Sequence, residues 1–214
     1  EVKPVYDSIV SEACMDSLIL NFGNHKVLPK GYEPQALLAL SHYPELKNIK
    51  VKFRTKRGGA PFVSRPTVWS TFFKKRAKRT YLILIRENDH PLFSPILMKR
   101  MRFNAQIGVL GHELAHTLDF SKRKFFKMLN VIFGNLSQKY LDDFEYETDR
   151  RAIQYGLGYQ LLAWSEHAIK TLRFNEPSPS TSKVDNLMER ERYMRPATIR
   201  NEMEKHIIYN ISNR

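Results

Sequence analysis

The sequence is poor in cysteine, and Cys14 is the only one among its 214 residues. An intrachain disulfide is therefore impossible, which excludes the small disulfide-stapled folds. Long apolar runs are also missing. The longest clear run, Tyr81 to Ile85, falls far short of the about 18–20 residues that cross a bilayer. We therefore predict that this chain contains no transmembrane segment.

Acidic residues are scarce relative to basic ones, 22 against 35, and the formal net charge is +13. The cations cluster in three stretches, 50–57, 74–79 and 122–127. Such clusters could bind nucleic acid or an anionic membrane. No paired-cysteine, RNP-type or phosphate-loop motif accompanies them. We therefore favour a solvated basic surface over either of these partners.

The order of the predicted elements defines the expected fold class. Helical spacing comes first, then three strand patterns, and helical patterns continue from Asn104, a good N-cap, to the end of the chain. This order predicts an α+β fold with a small mixed sheet and a mostly helical C-terminal half. The individual predictions are helices at 4–22, 34–42, 104–118, 124–136 and 141–172, the last broken near 156–158, and strands at 49–54, 68–73 and 81–85.

No interior linker is long enough to separate two hydrophobic segments, so we expect a single domain. Its predicted parts are helices and the small sheet over 1–92, two long helices over 93–172, and a loop with a closing helix over 173–214.

The segment His112-Glu113-Leu114-Ala115-His116 is an HExxH sequence. Residues i and i+4 lie on one helix face about one turn apart, so the imidazoles of His112 and His116 can reach one metal ion. Zinc at that point would lower the pKa of a water molecule, and Glu113 would act as the general base. A chance match on an ordinary amphipathic helix is the alternative. A buried stripe at helical spacing supports the helix and comprises Ile107, Leu110, Leu114 and Leu118.

Catalytic zinc requires a third protein ligand and leaves its fourth position to water. Metzincins place that ligand at the position that Lys122 occupies here, after a glycine where this chain has Asp119. A later helix offers Glu145 and Asp149, one turn apart on one face. Glu145 could bind the metal, and Asp149 could accept a hydrogen bond from a ligand histidine and fix its tautomer. Glu147 is a rival ligand, but it projects from a different helix face.

The two motifs together, at 112–116 and 145–149, resemble those of the gluzincin zinc metallopeptidases. The closest likeness is to the HtpX-like and CAAX-prenyl-protease group, or to a soluble minimal gluzincin. The resemblance implies a zincin-like fold, zinc as the cofactor, Glu145 as the third ligand and Asp149 as the acid behind a ligand histidine. Thr148 stands where that group usually has alanine, and the transmembrane helices of that group are missing from this sequence.

Peptide hydrolysis also needs a donor that stabilises the oxyanion. Tyr193 and His167 are candidates, with Arg195 as a third, and no motif distinguishes among them. An extended peptide substrate would pair with a strand above the cleft. Val68–Phe73 or Tyr81–Ile85 could supply that strand.

These observations predict a zinc-dependent peptidase that acts on a peptide or protein substrate. The predicted ligands are His112, His116 and Glu145, and the predicted general base is Glu113. One alternative is a zinc-binding scaffold that does not cleave. Another is a basic-surface binder of nucleic acid or anionic membrane, whose affinity would fall steeply with salt.

Overall fold

The computed structural model of this chain contains a small β-sheet with helices packed against it. The predicted α+β class, with a mostly helical C-terminal half, is confirmed. The structure describes residues 2–67, 71, 74, 78–87, 93–123, 137–174 and 192–210. The strands are β1 (Lys26–Val27), β2 (Lys50–Arg57), β3 (Phe62–Pro66) and β4 (Thr80–Glu87). The helices are α1 (Ser8–Ala13), α2 (Met15–Phe22), α3 (Glu33–Ser41), α4 (Phe103–Lys122), α5 (Gln138–Gln154), α6 (Gly158–Phe174), α7 (Pro196–Glu204) and α8 (Ile207–Asn210), with short 3₁₀ turns at Pro44–Leu46, Ser94–Ile96 and Met98–Arg100.

The described strands form one sheet in the order β1-β2-β4-β3. Strands β1, β2 and β4 run parallel, and β3 is antiparallel to β4. Strand β4 is therefore interior, as its apolar sequence predicts. On β2 the predicted alternation is confirmed, because Val51 and Phe53 are buried while Lys50 and Arg54 are exposed. The sheet thus has an apolar inner face and a polar outer face.

Helix α4 packs against β3 and α3, with α6 and α5 on its other sides. Because neighbours surround it, every residue from 105 to 118 is buried, including the polar residues of the HExxH segment. The predicted apolar stripe is confirmed, since its four members are fully buried: Ile107, Leu110, Leu114 and Leu118.

Two glycines let α4 and α6 approach closely. A Cβ on Gly108 would lie 2.1 Å from the backbone carbonyl oxygen of Gln160, and one on Gly111 would lie 2.5 Å from a methyl carbon of Leu157. Gly111 therefore has a packing role. The carbonyl of Gly111 also accepts a 2.7 Å hydrogen bond from the buried hydroxyl of Tyr43.

The predicted N-cap of α4 is wrong. The helix begins at Phe103, with Arg102 at the cap position. The side chain of Asn104 instead pairs with the backbone of Tyr6, donating to its carbonyl and accepting from its N–H, both at 2.9 Å. An amide side chain can match both groups of a peptide unit, and this long-range pairing ties the N-terminal segment to α4.

The N-terminal helix is broken where the sequence predicted one continuous helix over 4–22. The backbone of Cys14 leaves helical geometry (φ −96°, ψ 10°) between α1 and α2. The predicted end at Gly23 and the predicted break near 156–158 are both observed, the latter with Gly156 at φ +89°. Of the predicted strand 68–73 only Thr71 is described, and its N–H donates to the carbonyl of Thr67, a helical contact.

The predicted helix at 124–136 lies outside the described residues. Within the described part of the chain, no helix combines the length and the apolar composition needed to cross a membrane.

The contacts between α4 and α6 predict that an added methyl group is tolerated less well at Gly108 than at Gly111. Gly108→Ala should lower the free energy of unfolding by about 1–3 kcal/mol, because the added methyl group meets rigid backbone. Gly111→Ala should cost less than about 1 kcal/mol, because Leu157 can rotate and alanine favours the helix. Urea unfolding followed by circular dichroism measures both. Equal losses for the two variants would contradict this account of the helix contact.

Candidate metal centre

Three ligand-type atoms from two helices converge in the interior. Helix α4 supplies His112 and His116, and α5 supplies Glu145. The Nε2 atoms of the two histidines lie 3.0 and 3.1 Å from the same carboxylate oxygen of Glu145. All three ligand atoms lie within 4.8 Å of one another. The residues predicted as metal ligands are therefore brought together, and the group could hold a metal ion.

The other nitrogen of each imidazole is held by a neighbour on α5. The Nδ1 atom of His112 lies 2.8 Å from Oδ1 of Asp149, the residue predicted to orient a histidine. The Nδ1 atom of His116 lies 3.2 Å from the hydroxyl oxygen of Thr148. That hydroxyl donates its only hydrogen to the carbonyl of Phe144 at 2.8 Å, so toward His116 it can only accept.

These contacts fix both tautomers. If Nδ1 carries the hydrogen in His112 and in His116, each Nε2 presents a lone pair toward Glu145. Two lone pairs and a carboxylate oxygen within hydrogen-bond distance repel one another unless a cation lies among them. Two imidazoles and one carboxylate form a donor set that suits a tetrahedral zinc ion with one open position. The residues present thus fit a divalent transition metal.

The shifted pKa values around the site also indicate that positive charge is favourable there. Burial alone would lower the pKa of His112, but Asp149 and Glu145 raise it well above the usual value. Burial alone would raise the pKa of Glu145, but the imidazoles of His116 and His112 lower it. The carboxylates of Asp149 and Glu145 thus favour positive charge at this position.

Glu113 lies beside this group and is 5% exposed. Its Oε2 atom has no hydrogen-bond partner among the described residues. Burial raises the pKa of Glu113, and the charge of Glu145 adds to the effect, while the two imidazoles and a hydrogen bond from the Ser64 backbone oppose it. A buried carboxylate with one free oxygen is placed to accept a proton from a molecule in the site.

A C-terminal segment, residues 192–194, packs against α5 and α6. The second carboxylate oxygen of Asp149 accepts a 2.7 Å hydrogen bond from the N–H of Met194. Arg192 forms a 2.7 Å ion pair with Asp142 on α5, and Ser165 on α6 donates to the Met194 carbonyl at 3.0 Å. Because it is fixed at three points, this segment holds Tyr193 in a defined position.

Tyr193 lies at the mouth of the site, where it is 42% exposed. Its ring centroid is 5.8 Å from that of His112 and 5.7 Å from that of Trp164. Partial removal from water raises the pKa of Tyr193, and the charges of Glu145 and Glu113 raise it further. The hydroxyl therefore stays protonated at neutral pH and remains a hydrogen-bond donor.

The other candidates from the sequence are placed elsewhere. The Nε2 atom of His167 lies 2.9 Å from the carbonyl of Pro95, a contact that ties α6 to the loop before α4. Glu147, the rival ligand, is ion-paired to Arg150 on the outside of α5. Arg195 is half-buried at the start of α7.

The strand nearest the site is β3, which the sequence patterns did not identify. Tyr81–Ile85 cannot pair with a substrate, because β4 has neighbours on both edges. Strand β3 is one of the two edge strands of the described sheet, and Ser64 contacts α4 through a 2.8 Å hydrogen bond to Thr117. It is therefore the edge strand that lies beside the HExxH segment.

Thr148 has a role in the site that the sequence motifs do not indicate, because there it appears only as a replacement for alanine. Its spacing does indicate a place in the site. Positions i, i+3 and i+4 share one helix face, and these positions are Glu145, Thr148 and Asp149.

No family model, curated protein or solved structure matches this chain. The resemblance to gluzincins therefore remains a prediction that rests on the two motifs at 112–116 and 145–149.

The hydrogen bond from His116 to Thr148 gives a test of the centre. Thr148→Val keeps the shape of the side chain but removes the acceptor, so zinc affinity should fall by about tenfold or more. Thr148→Ser keeps the hydroxyl and should retain most of the affinity. Competition with a chromophoric chelator measures both variants. Equal affinities for the valine and serine variants would contradict the proposed orientation of His116.

Proposed function

We propose that this protein is a zinc-dependent peptidase that hydrolyses peptide bonds. The observation that carries the proposal is the convergence of the Nε2 atoms of His112 and His116 on one oxygen of Glu145, with the carboxylate of Glu113 beside them. Metal ligands alone would support only a binding role. The adjacent buried acid with an unpartnered oxygen supports hydrolysis.

Zinc, when bound by these three residues, supplies the Lewis acidity that lowers the pKa of a water molecule and polarises a carbonyl group. Glu113 accepts the proton of the attacking water and passes it to the leaving amine. Its burial and its unpartnered oxygen among the described residues suit a group that accepts and then donates a proton. Asp149 and Thr148 keep the imidazoles oriented throughout.

Two further features support a peptide substrate. The protonated hydroxyl of Tyr193 is a donor at the mouth of the site, where it can stabilise negative charge that develops on a carbonyl oxygen. Strand β3 is an edge strand of the described sheet, where an extended chain could pair. We assign the oxyanion role to Tyr193 rather than His167, whose ring is engaged by Pro95.

The general-base role predicts a separation of binding from catalysis. Glu113→Gln should bind zinc with a stoichiometry near that of the parent chain, while cleavage of denatured casein falls by about 10²–10⁴-fold. The matched control is Glu147→Gln, which changes an exposed acid on α5 and should keep full activity. Metal analysis and a fluorescent casein assay provide the two measurements.

Retained activity in the Glu113→Gln variant would overturn this mechanism. Zinc binding by the parent chain without cleavage of any casein or peptide-library substrate would instead favour the non-cleaving scaffold.

Metal dependence gives a separate prediction. Phenanthroline should abolish cleavage, and added Zn²⁺ should restore it, because the proposed reaction requires the ion. His116→Ala should lose both zinc and activity, and zinc should not rescue it. Cleavage that persists in chelator would show that the activity does not use this centre.

A further inference from the structure

The outer face of the sheet carries a row of cations. Every second residue of β2 is a cation that lies on the side opposite the buried Val51 and Phe53. These cations are Lys50, Lys52, Arg54 and Lys56. Alternate residues of a strand are about 6.6 Å apart, so the row extends over roughly 20 Å. Arg65 joins it from β3, because it pairs with Leu82, which pairs in turn with Lys52. We call these five residues the cationic face: Lys50, Lys52, Arg54, Lys56 and Arg65.

The cationic face has no acidic partners among the described residues. On the helices, by contrast, several cations form ion pairs with neighbouring carboxylates, as in the pairs Arg151–Asp119 and Arg200–Glu166. No carboxylate of the described residues forms an ion pair with any member of the cationic face. The strand register also places no acidic residue among them. This surface therefore has an unbalanced positive charge.

Most of the remaining side chains of this face are aliphatic. Val27 on β1 pairs with Lys52 and is 45% exposed. Leu82 and Val63 are half-buried between the cations, Leu84 is buried, and the polar Thr80 and Arg86 on β4 are half-buried. The described strands place no aromatic ring on this side of the sheet, so they offer no platform on which nucleic-acid bases could stack.

We propose that the cationic face docks the protein onto an anionic lipid bilayer. Lysine and arginine are attracted to acidic headgroups, and clusters of about 4–8 cations mark such surfaces. The exposed cations can contact acidic headgroups, and exposed Val27 can enter the headgroup region. Contact of Val27 with the phosphates of a nucleic-acid duplex would not add to the binding free energy.

Docking in this way leaves the candidate metal centre accessible. Neighbouring residues of a strand point to opposite faces, and Ser64, next to Arg65, points inward to Thr117 on α4. The centre thus lies on the side of the sheet away from the lipid. Membrane binding and peptidase activity are therefore separable, and either proposal can fail without the other.

The test compares two triple variants of the full chain that lose the same charge. Lys50→Gln, Arg54→Gln and Lys56→Gln remove exposed members of the cationic face. Lys99→Gln, Lys139→Gln and Lys170→Gln remove three exposed lysines elsewhere. Vesicle co-sedimentation uses phosphatidylcholine alone or with about 30% phosphatidylserine, at about 50 and 500 mM salt. Circular dichroism confirms that both variants are folded.

We expect binding to the phosphatidylserine vesicles at low salt, little binding to phosphatidylcholine, and release at high salt. The face variant should bind about 100-fold more weakly, and the control variant within about threefold of the parent chain. Val27→Ser should weaken vesicle binding further, without affecting any binding to duplex DNA.

Absence of vesicle binding at low salt would overturn the proposal. Equal losses in the two triple variants would do so as well, because they would show that net charge alone is responsible. Tighter binding to a DNA duplex than to the vesicles would assign this face to nucleic acid instead.

Discussion

The carboxylate of Asp149 is the group on which the candidate centre depends. One oxygen accepts from the imidazole of His112, and the other accepts from the backbone N–H of Met194. An almost fully buried charge is stable only when hydrogen bonds satisfy it, so these two contacts are required together. A single side chain thereby links the motif helix, the ligand helix and the segment that carries Tyr193.

The precision of this arrangement comes from the packing of α4. The helix is enclosed by the sheet, α3, α5 and α6, and Gly108 brings its backbone against that of Gln160. A helix held on all sides cannot rotate or shift, so its two histidines keep a fixed relation to Glu145. Metal centres built on rigid elements with oriented ligands hold their geometry best.

The two faces of the sheet present different side chains. Its inner face packs on α4 and contributes β3 to the edge of the metal centre, while its outer face presents cations with aliphatic residues among them. The alternation of β2 predicted these two faces from the sequence. The sequence could not predict that Arg65 would join the outer row or that no acid among the described residues would pair with it, because both depend on pairing between distant strands.

Local sequence patterns by themselves determined the fold class and the helix faces that bear the site residues. Helical and strand periodicity gave the α+β class and the interior strand β4, and the i, i+4 rule gave the shared faces of His112 with His116 and of Glu145 with Asp149. Tertiary structure decided the rest. Asn104 pairs with Tyr6 instead of capping its helix, and Tyr193 rather than His167 reaches the site. Both outcomes depend on contacts between residues far apart in the chain, which local spacing does not encode.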